Sequence, residues 1–141
     1  MFRFLCILSL LFLASLLRAE EAADTSWPQW RGPTRDGRVY TSNWPETLSG
    51  DRLNLLWKVE LGPSYSGPIV TADRVFTTET VEESREATRA LDRRTGQTLW
   101  ASGWDGSLSV PFFARDNGSW IRSTPAFDGT SLYVAGIRDV L

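Results

Sequence analysis

The side chains that most often carry chemistry are unevenly supplied in this chain. Histidine is absent from all 141 residues, and the single cysteine, Cys6, lies close to the start. Histidine is the commonest general base near neutral pH and the commonest transition-metal ligand, and cysteine supplies thiolate nucleophiles and zinc ligands. Ser-His-Asp, Cys-His and zinc chemistry are therefore excluded within these residues. Acids are the remaining candidates. Asp36, Asp105 and Asp128 each precede a glycine, and an Asp-Gly pair signals a tight turn before it signals a general base. Glu82, Glu83 and Glu86 form a local acidic cluster, which ordinarily marks a solvated turn. No acid repeats the spacing of a calcium-binding EF-hand loop. Asn117-Gly118-Ser119 matches a glycosylation sequon, read as coincidence. The sequence thus assigns no catalytic, no cofactor-binding and no metal-binding residue.

Tryptophan is the second resource, with seven in the chain. Flat rings stack on sugars, so a carbohydrate platform is one reading. Repeated structural use is the other, and it accounts for more of them. Trp57 and Trp100 recur in a Leu-Trp pair, and Trp27 and Trp30 share the stretch SWPQWRGPTRDG, residues 26–37. Trp44, Trp104 and Trp120 lie in turn-rich stretches with no common spacing. Residues 26–37 combine proline, which fixes φ, with glycine, which permits sharp reversals, and with two large apolar rings. Such a segment is too short to fold alone and is expected to lie across neighbouring elements as a seal.

The elements that must position these side chains read as β. In LNLLWKVEL (53–61), Leu55, Trp57, Val59 and Leu61 alternate with Lys58 and Glu60, the period of a half-buried strand. GPIVTADRVFTTET predicts two short strands around a turn at Ala72-Asp73, and ATRALDRRTGQTLW two more around Thr95-Gly96. VEESREATRAL (81–91) contains good helix formers, but its apolar residues make no helical stripe. It is read as a charged hairpin tip at Glu82–Glu86 followed by a strand through Leu91. Laid over STPAFDGTSLYVA (123–135), SGPIVTADRVFTT (66–78) matches without a gap at an offset of 57 residues. Leu56-Trp57 and Leu99-Trp100 echo each other at an offset of 43, so ASGWDGSLSVPFFARDNGSW is the place for inserted residues. Four short strands repeating at ~40–45 residues is the period of a β-propeller blade; an all-β sandwich is the alternative.

The two ends carry separate signals. After Met1-Phe2-Arg3, Phe4 to Leu17 runs fourteen residues without a charge before Arg18-Ala19-Glu20. This describes a secretory signal peptide, residues 1–19, cleaved after Ala19 or alternatively Ala23. A retained anchor competes, but such a run reaches only ~21 Å as a helix, short of the ~30 Å hydrocarbon core. Cys6 is too early in it, and wrongly flanked, to carry a lipid. Loss of Arg3 and Arg18 with the leader takes the 15 basic residues to 13 against 17 acidic, a net charge of −4. With its arginines scattered, the chain offers no basic footprint for nucleic acid. At the other end SLYVAGIRDVL stops inside an apolar, β-prone run, as expected of part of a longer chain.

Three stretches carry a family resemblance. ALDRRTGQTLW (90–100) resembles the repeat signature of pyrroloquinoline-quinone-type propellers, STPAFDGTSLYVAG resembles the next part of that repeat, and SWPQWRGPTRDG is similar to the N-terminal signature of exported bacterial propellers of the BamB-like or quinoprotein-dehydrogenase-like kind. The likeness covers nearly everything from Trp27 to Leu141. It implies an all-β propeller of four-stranded blades, with residues 20–50 an N-terminal Trp/Pro/Gly-rich segment packed on it. Residues 51–141 would then hold about two blades, at ~45 residues each, of the seven or eight in complete members. For function it implies a non-catalytic periplasmic or secreted scaffold, BamB-like, with cell-envelope proteins as partners, no cofactor, and no stable membrane span after signal cleavage. The alternative it implies is the N-terminal fragment of a quinoprotein alcohol dehydrogenase-like enzyme, with pyrroloquinoline quinone and calcium on the propeller axis and, in many members, a vicinal disulfide. No cysteine after Cys6 can supply that disulfide here, and no quinone-contacting residue maps onto this sequence.

Overall fold

The computed structural model describes residues 26–40, 46–50, 53–106 and 112–137. The expected signal peptide, Trp44 and the last four residues lie outside them. The described residues are all-β in their regular structure, with one 3-10 turn, Phe112–Asn117, and no α-helix.

A four-stranded antiparallel sheet is the main body. It runs in sequence order, β1 (Ile69–Val70), β2 (Arg74–Val81), β3 (Arg85–Asp92) and β4 (Thr98–Asp105). Each strand follows its neighbour through a short turn, so all its pairings are local hairpins. The turn at Ala72-Asp73 forms as expected, closed by Thr71 N donating to Arg74 O at 2.9 Å. The β3–β4 turn closes through Gly96 N donating to Asp92 O at 2.8 Å. Gly96 has φ +74°, and a Cβ there would stand 2.7 Å from the Trp57 ring, so both its backbone and its neighbour require glycine.

The segment with helical propensity is a hairpin. Val81 pairs with Arg85, and the tip narrows to Glu82, Glu83 and Ser84. Cross-strand pairing beats propensity here because a helix would have had no apolar stripe to bury. Glu86 does not belong to the tip. It is 1 % exposed within β3, which corrects the reading of all three glutamates as a solvated turn.

Register sorts the side chains into two faces. One face aligns Phe76, Ala90 and Trp100, then Thr78, Thr88 and Ser102, then Thr80, Glu86 and Trp104, with Ile69 beside Phe76. Ile69, Phe76 and Ala90 form the buried core there, covered by Phe127 and Leu132. The Phe76 ring lies 5.3 Å from Phe127 and 6.0 Å from Trp100.

Phe127 and Leu132 belong to a second, two-stranded sheet, β5 (Ala126–Phe127) with β6 (Leu132–Tyr133). Its register repeats the first: Ile69↔Phe76 and Val70↔Val75 recur as Ala126↔Tyr133 and Phe127↔Leu132. The turn bond recurs too, with Asp128 N donating to Ser131 O at 3.3 Å. The 57-residue offset is thus a structural repeat, and the two copies touch across it, Gly67 N donating to Thr124 Oγ1 at 3.2 Å.

Two expectations fail. Residues 53–61 form no ladder; Trp57 and Val59 are half-buried, while Leu55 and Leu56 are 83 % and 80 % exposed. The alternation is present, but a strand needs a partner backbone, and the free edge of β1 is taken by Trp27, which bridges Val70. Nor do Trp57 and Trp100 hold like places: the turn-rich stretch from Ala101 begins inside the sheet, where residues through Asp105 complete β4 with Trp100. In consequence Trp57 and Trp100 do different work: Trp57 Nε1 donates to Arg93 O at 2.9 Å on the β3–β4 turn, whereas Trp100 stacks beside Phe76.

Candidate functional site

Three groups of polar side chains stand out, and each is built by a different element. The first comprises the acids at turns. Asp92 Oδ1 accepts from Thr95 Oγ1 at 2.9 Å, Thr95 N at 2.7 Å and Arg94 N at 3.0 Å. These bonds, the Thr95 hydroxyl first, hold its carboxyl below the ordinary 3.8. Asp128 Oδ1 accepts from Ser131 N and Thr130 N, both at 2.8 Å, and Oδ2 accepts from Tyr133 OH at 2.9 Å. Its pKa is likewise lowered, by the Ser131 and Thr130 amides ahead of the Tyr133 hydroxyl. Thr71 occupies the equivalent place in the first copy, its hydroxyl accepting from Arg74 N at 3.1 Å. The Asp-Gly reading of Asp128 as a turn residue is thus explained by its bonds.

The second group is a pair of buried carboxylates on opposite faces of the sheet. Glu79, 2 % exposed, accepts from Gly62 N at 2.6 Å through Oε2. Arg89 Nε stands 2.5 Å from its Oε1 but off the N–H direction, so that oxygen is held by charge without a directed hydrogen bond. Glu86 accepts from Trp104 Nε1 at 2.8 Å and from Ile137 N at 3.0 Å. Gly136 makes room for this contact, since a Cβ there would lie 2.6 Å from Glu86 Oε2. One carboxylate therefore grips the chain before the sheet and the other the chain after it. Neither role was legible in the sequence, because a buried Glu in a strand reads like a polar-face residue.

The third group is the loop from Gln29 to Tyr40, which overlaps residues 26–37, the stretch expected to be a seal. The first residues of that stretch do join the two copies: Trp27 N and Val70 N each donate to the other's carbonyl, and Phe127 N donates to Pro28 O at 2.8 Å. Beyond them the loop leaves the surface. Trp30 is 67 % exposed, so the second indole seals nothing. Asp36 organises the loop, accepting from Thr34 Oγ1 at 2.7 Å, from Arg38 N at 3.0 Å and from Tyr40 OH. The Tyr40 bond, followed by that from Thr34, lowers the Asp36 pKa, and the same bond to Asp36 raises the pKa of Tyr40.

Two hollows lie near these groups. An open depression of about 500 Å³ runs between the equivalent turns at Thr71–Asp73 and Asp128–Gly129, floored by Ser26 and Pro28. A smaller one of about 240 Å³ is lined by Leu61, Ser64, Ser66, Thr77 and Thr78 among others. Thr77 Oγ1 is buried with no hydrogen-bond partner among the described residues.

Calcium takes six to eight oxygen ligands, carboxylates among them. Among the described residues no group of three or more His, Cys, Asp or Glu could hold a metal ion, and the acids detailed above are committed to their own turns, backbone amides, indole or arginine. No family model, curated protein or solved structure matches the chain.

Proposed function

We propose that this chain is an exported β-propeller repeat protein that acts as a non-catalytic scaffold of the cell envelope, BamB-like in kind. The observation that carries the reading is the repeat of β1–β2 in β5–β6, in register and side by side. A unit that covers its apolar face with the next copy of itself extends in one dimension and leaves its outer loops for partners. Buried carboxylates spent on backbone amides suit an architectural role. Export to the periplasm or beyond rests on the charged start and apolar run of residues 1–19, and release of the leader predicts a mature N-terminus at Glu20 or within a few residues, read by mass spectrometry.

The competing reading, an N-terminal portion of a pyrroloquinoline-quinone-dependent alcohol dehydrogenase, is separated by titration with the quinone and calcium, followed by calorimetry. The scaffold reading expects no saturable binding. Saturable binding with a Kd in the micromolar range overturns it.

A further inference from the structure

We propose that the loop from Gln29 to Tyr40 is a docking surface for an acidic, partly apolar segment of another polypeptide. This deepens the scaffold reading and rests on it.

Arg31, Arg35 and Arg38 are all exposed, and none forms an ion pair among the described residues, where the pairs join Lys58–Glu60, Arg74–Asp73, Arg85–Asp105 and Arg89–Glu79. The bonds the guanidinium groups do make go to neutral acceptors: Arg31 Nη2 donates to Asp36 O at 3.2 Å, and Arg35 Nε to Gln29 Oε1 at 3.2 Å. The loop's own carboxylate, Asp36, accepts from Thr34, Arg38 N and Tyr40 and offsets one of the three guanidinium charges. Three arginines against one aspartate leave the loop with a local net charge of +2. Beside it stand Trp30, Val39 and Tyr40, at 67, 57 and 71 % exposure, with the Arg31 guanidinium 5.6 Å from the centre of the Trp30 ring. Tryptophan, tyrosine and arginine are the residue types that dominate binding hot spots.

The loop is also fixed in advance. Gly37 N donates to Arg31 O at 2.9 Å, Gly32 N to Gln29 O at 3.0 Å, and Gln29 Nε2 to Pro33 O at 3.2 Å, so little order remains to be imposed on binding. Arg31 and Arg35 hold φ of 65° and 60°, a conformation that glycine would adopt without strain. An outlier of this kind points to a use for the side chain.

The chemistry selects the partner. Three arginines fall below the cluster of four to eight basic residues that holds a protein on an anionic membrane. A long polyanion would meet repulsion from a chain of net charge −2. A short acidic peptide meets only the loop, and its apolar residues would cover the exposed rings.

The test uses the full chain and a labelled peptide alternating glutamate with leucine and tyrosine, followed by fluorescence anisotropy. Saturable binding is expected, weakening roughly tenfold from low to physiological salt. A version with glutamine for glutamate should not bind. The variant Arg31→Gln/Arg35→Gln/Arg38→Gln should lose affinity at least roughly tenfold with near-ultraviolet circular dichroism unchanged; if it misfolds, Trp30→Ser on the exposed ring must weaken binding instead. Absence of saturable peptide binding, retention by both variants, or equal affinity for phosphatidylglycerol vesicles or a sulfated polysaccharide would overturn the proposal. Failure here without quinone binding removes this surface and leaves the scaffold reading standing, whereas quinone binding removes the scaffold reading whatever the peptide does.

Discussion

Replacing Glu86 by alanine would leave Trp104 Nε1 and Ile137 N without their acceptor in a half-buried setting. Bonds to a charged acceptor contribute ~1.5–3 kcal/mol each, so loss of the two is expected to cost about 3–6 kcal/mol for Glu86→Ala. Glu86→Gln keeps one acceptor oxygen and should cost only about 1 kcal/mol. Denaturant unfolding followed by tryptophan fluorescence measures both, provided the m-value is unchanged. The turn acids give a pH signature. Asp36, Asp92 and Asp128 have pKa values below the ordinary 3.8, so each contributes stability that is present above 3.8 and is lost as pH falls through its lower folded value. Tyr40 and Tyr133 are raised above the ordinary 10.0; their contribution is present below 10.0 and disappears as pH rises through the folded value. Carboxyl chemical shifts in an NMR titration should show midpoints under 3.8 for the three aspartates, and ordinary midpoints would refute the bonding described.

At the scale of elements, the β2–β3 hairpin turns through Glu82 and Glu83, both with positive φ, 51° and 59°. Asparagine and glycine suit these positions far better than glutamate. Glu82→Asn with Glu83→Gly should therefore stabilise the protein by roughly 1 kcal/mol, seen as a higher Tm. Gly96→Ala should do the reverse, destabilising by more than about 1 kcal/mol, and Trp57→Ala in the same chain should recover part of the loss, because the clash involves that ring. All three hairpins of the main sheet were legible in the sequence, since alternation and turn residues act locally. Two things were not. Residues 53–61 carry a strand's alternation without a partner, and whether a backbone finds one depends on distant chain. The burial of Glu86 depends on Ile137, fifty-one residues on, which no local pattern reports. Residues 26–37 read as one seal because proximity in sequence groups Trp27 with Trp30, whereas Trp27 bridges Val70 and Trp30 stands 67 % exposed.

For the molecule as a whole, the contact between copies is the weak point. Phe127→Ala removes the ring stacked on Phe76 and should cost about 2–3 kcal/mol, less than the ~3–5 of a fully buried phenylalanine. Hydrogen exchange should then show amides of β5 and β6 opening well before those of β2 and β3. Exposed Leu55 and Leu56 have the opposite leverage: glutamine at both should change stability by under ~0.5 kcal/mol yet reduce concentration-dependent light scattering. The pair Glu79 and Glu86 also bears on how the chain assembles. Each carboxylate is sealed in only when one particular amide, Gly62 N or Ile137 N, arrives to meet it. A segment docking one residue out of step would entomb a bare charge, at several kcal/mol. The two glutamates therefore select for alignment as well as for burial: each holds its native neighbour and penalises a misaligned one, on either side of the sheet.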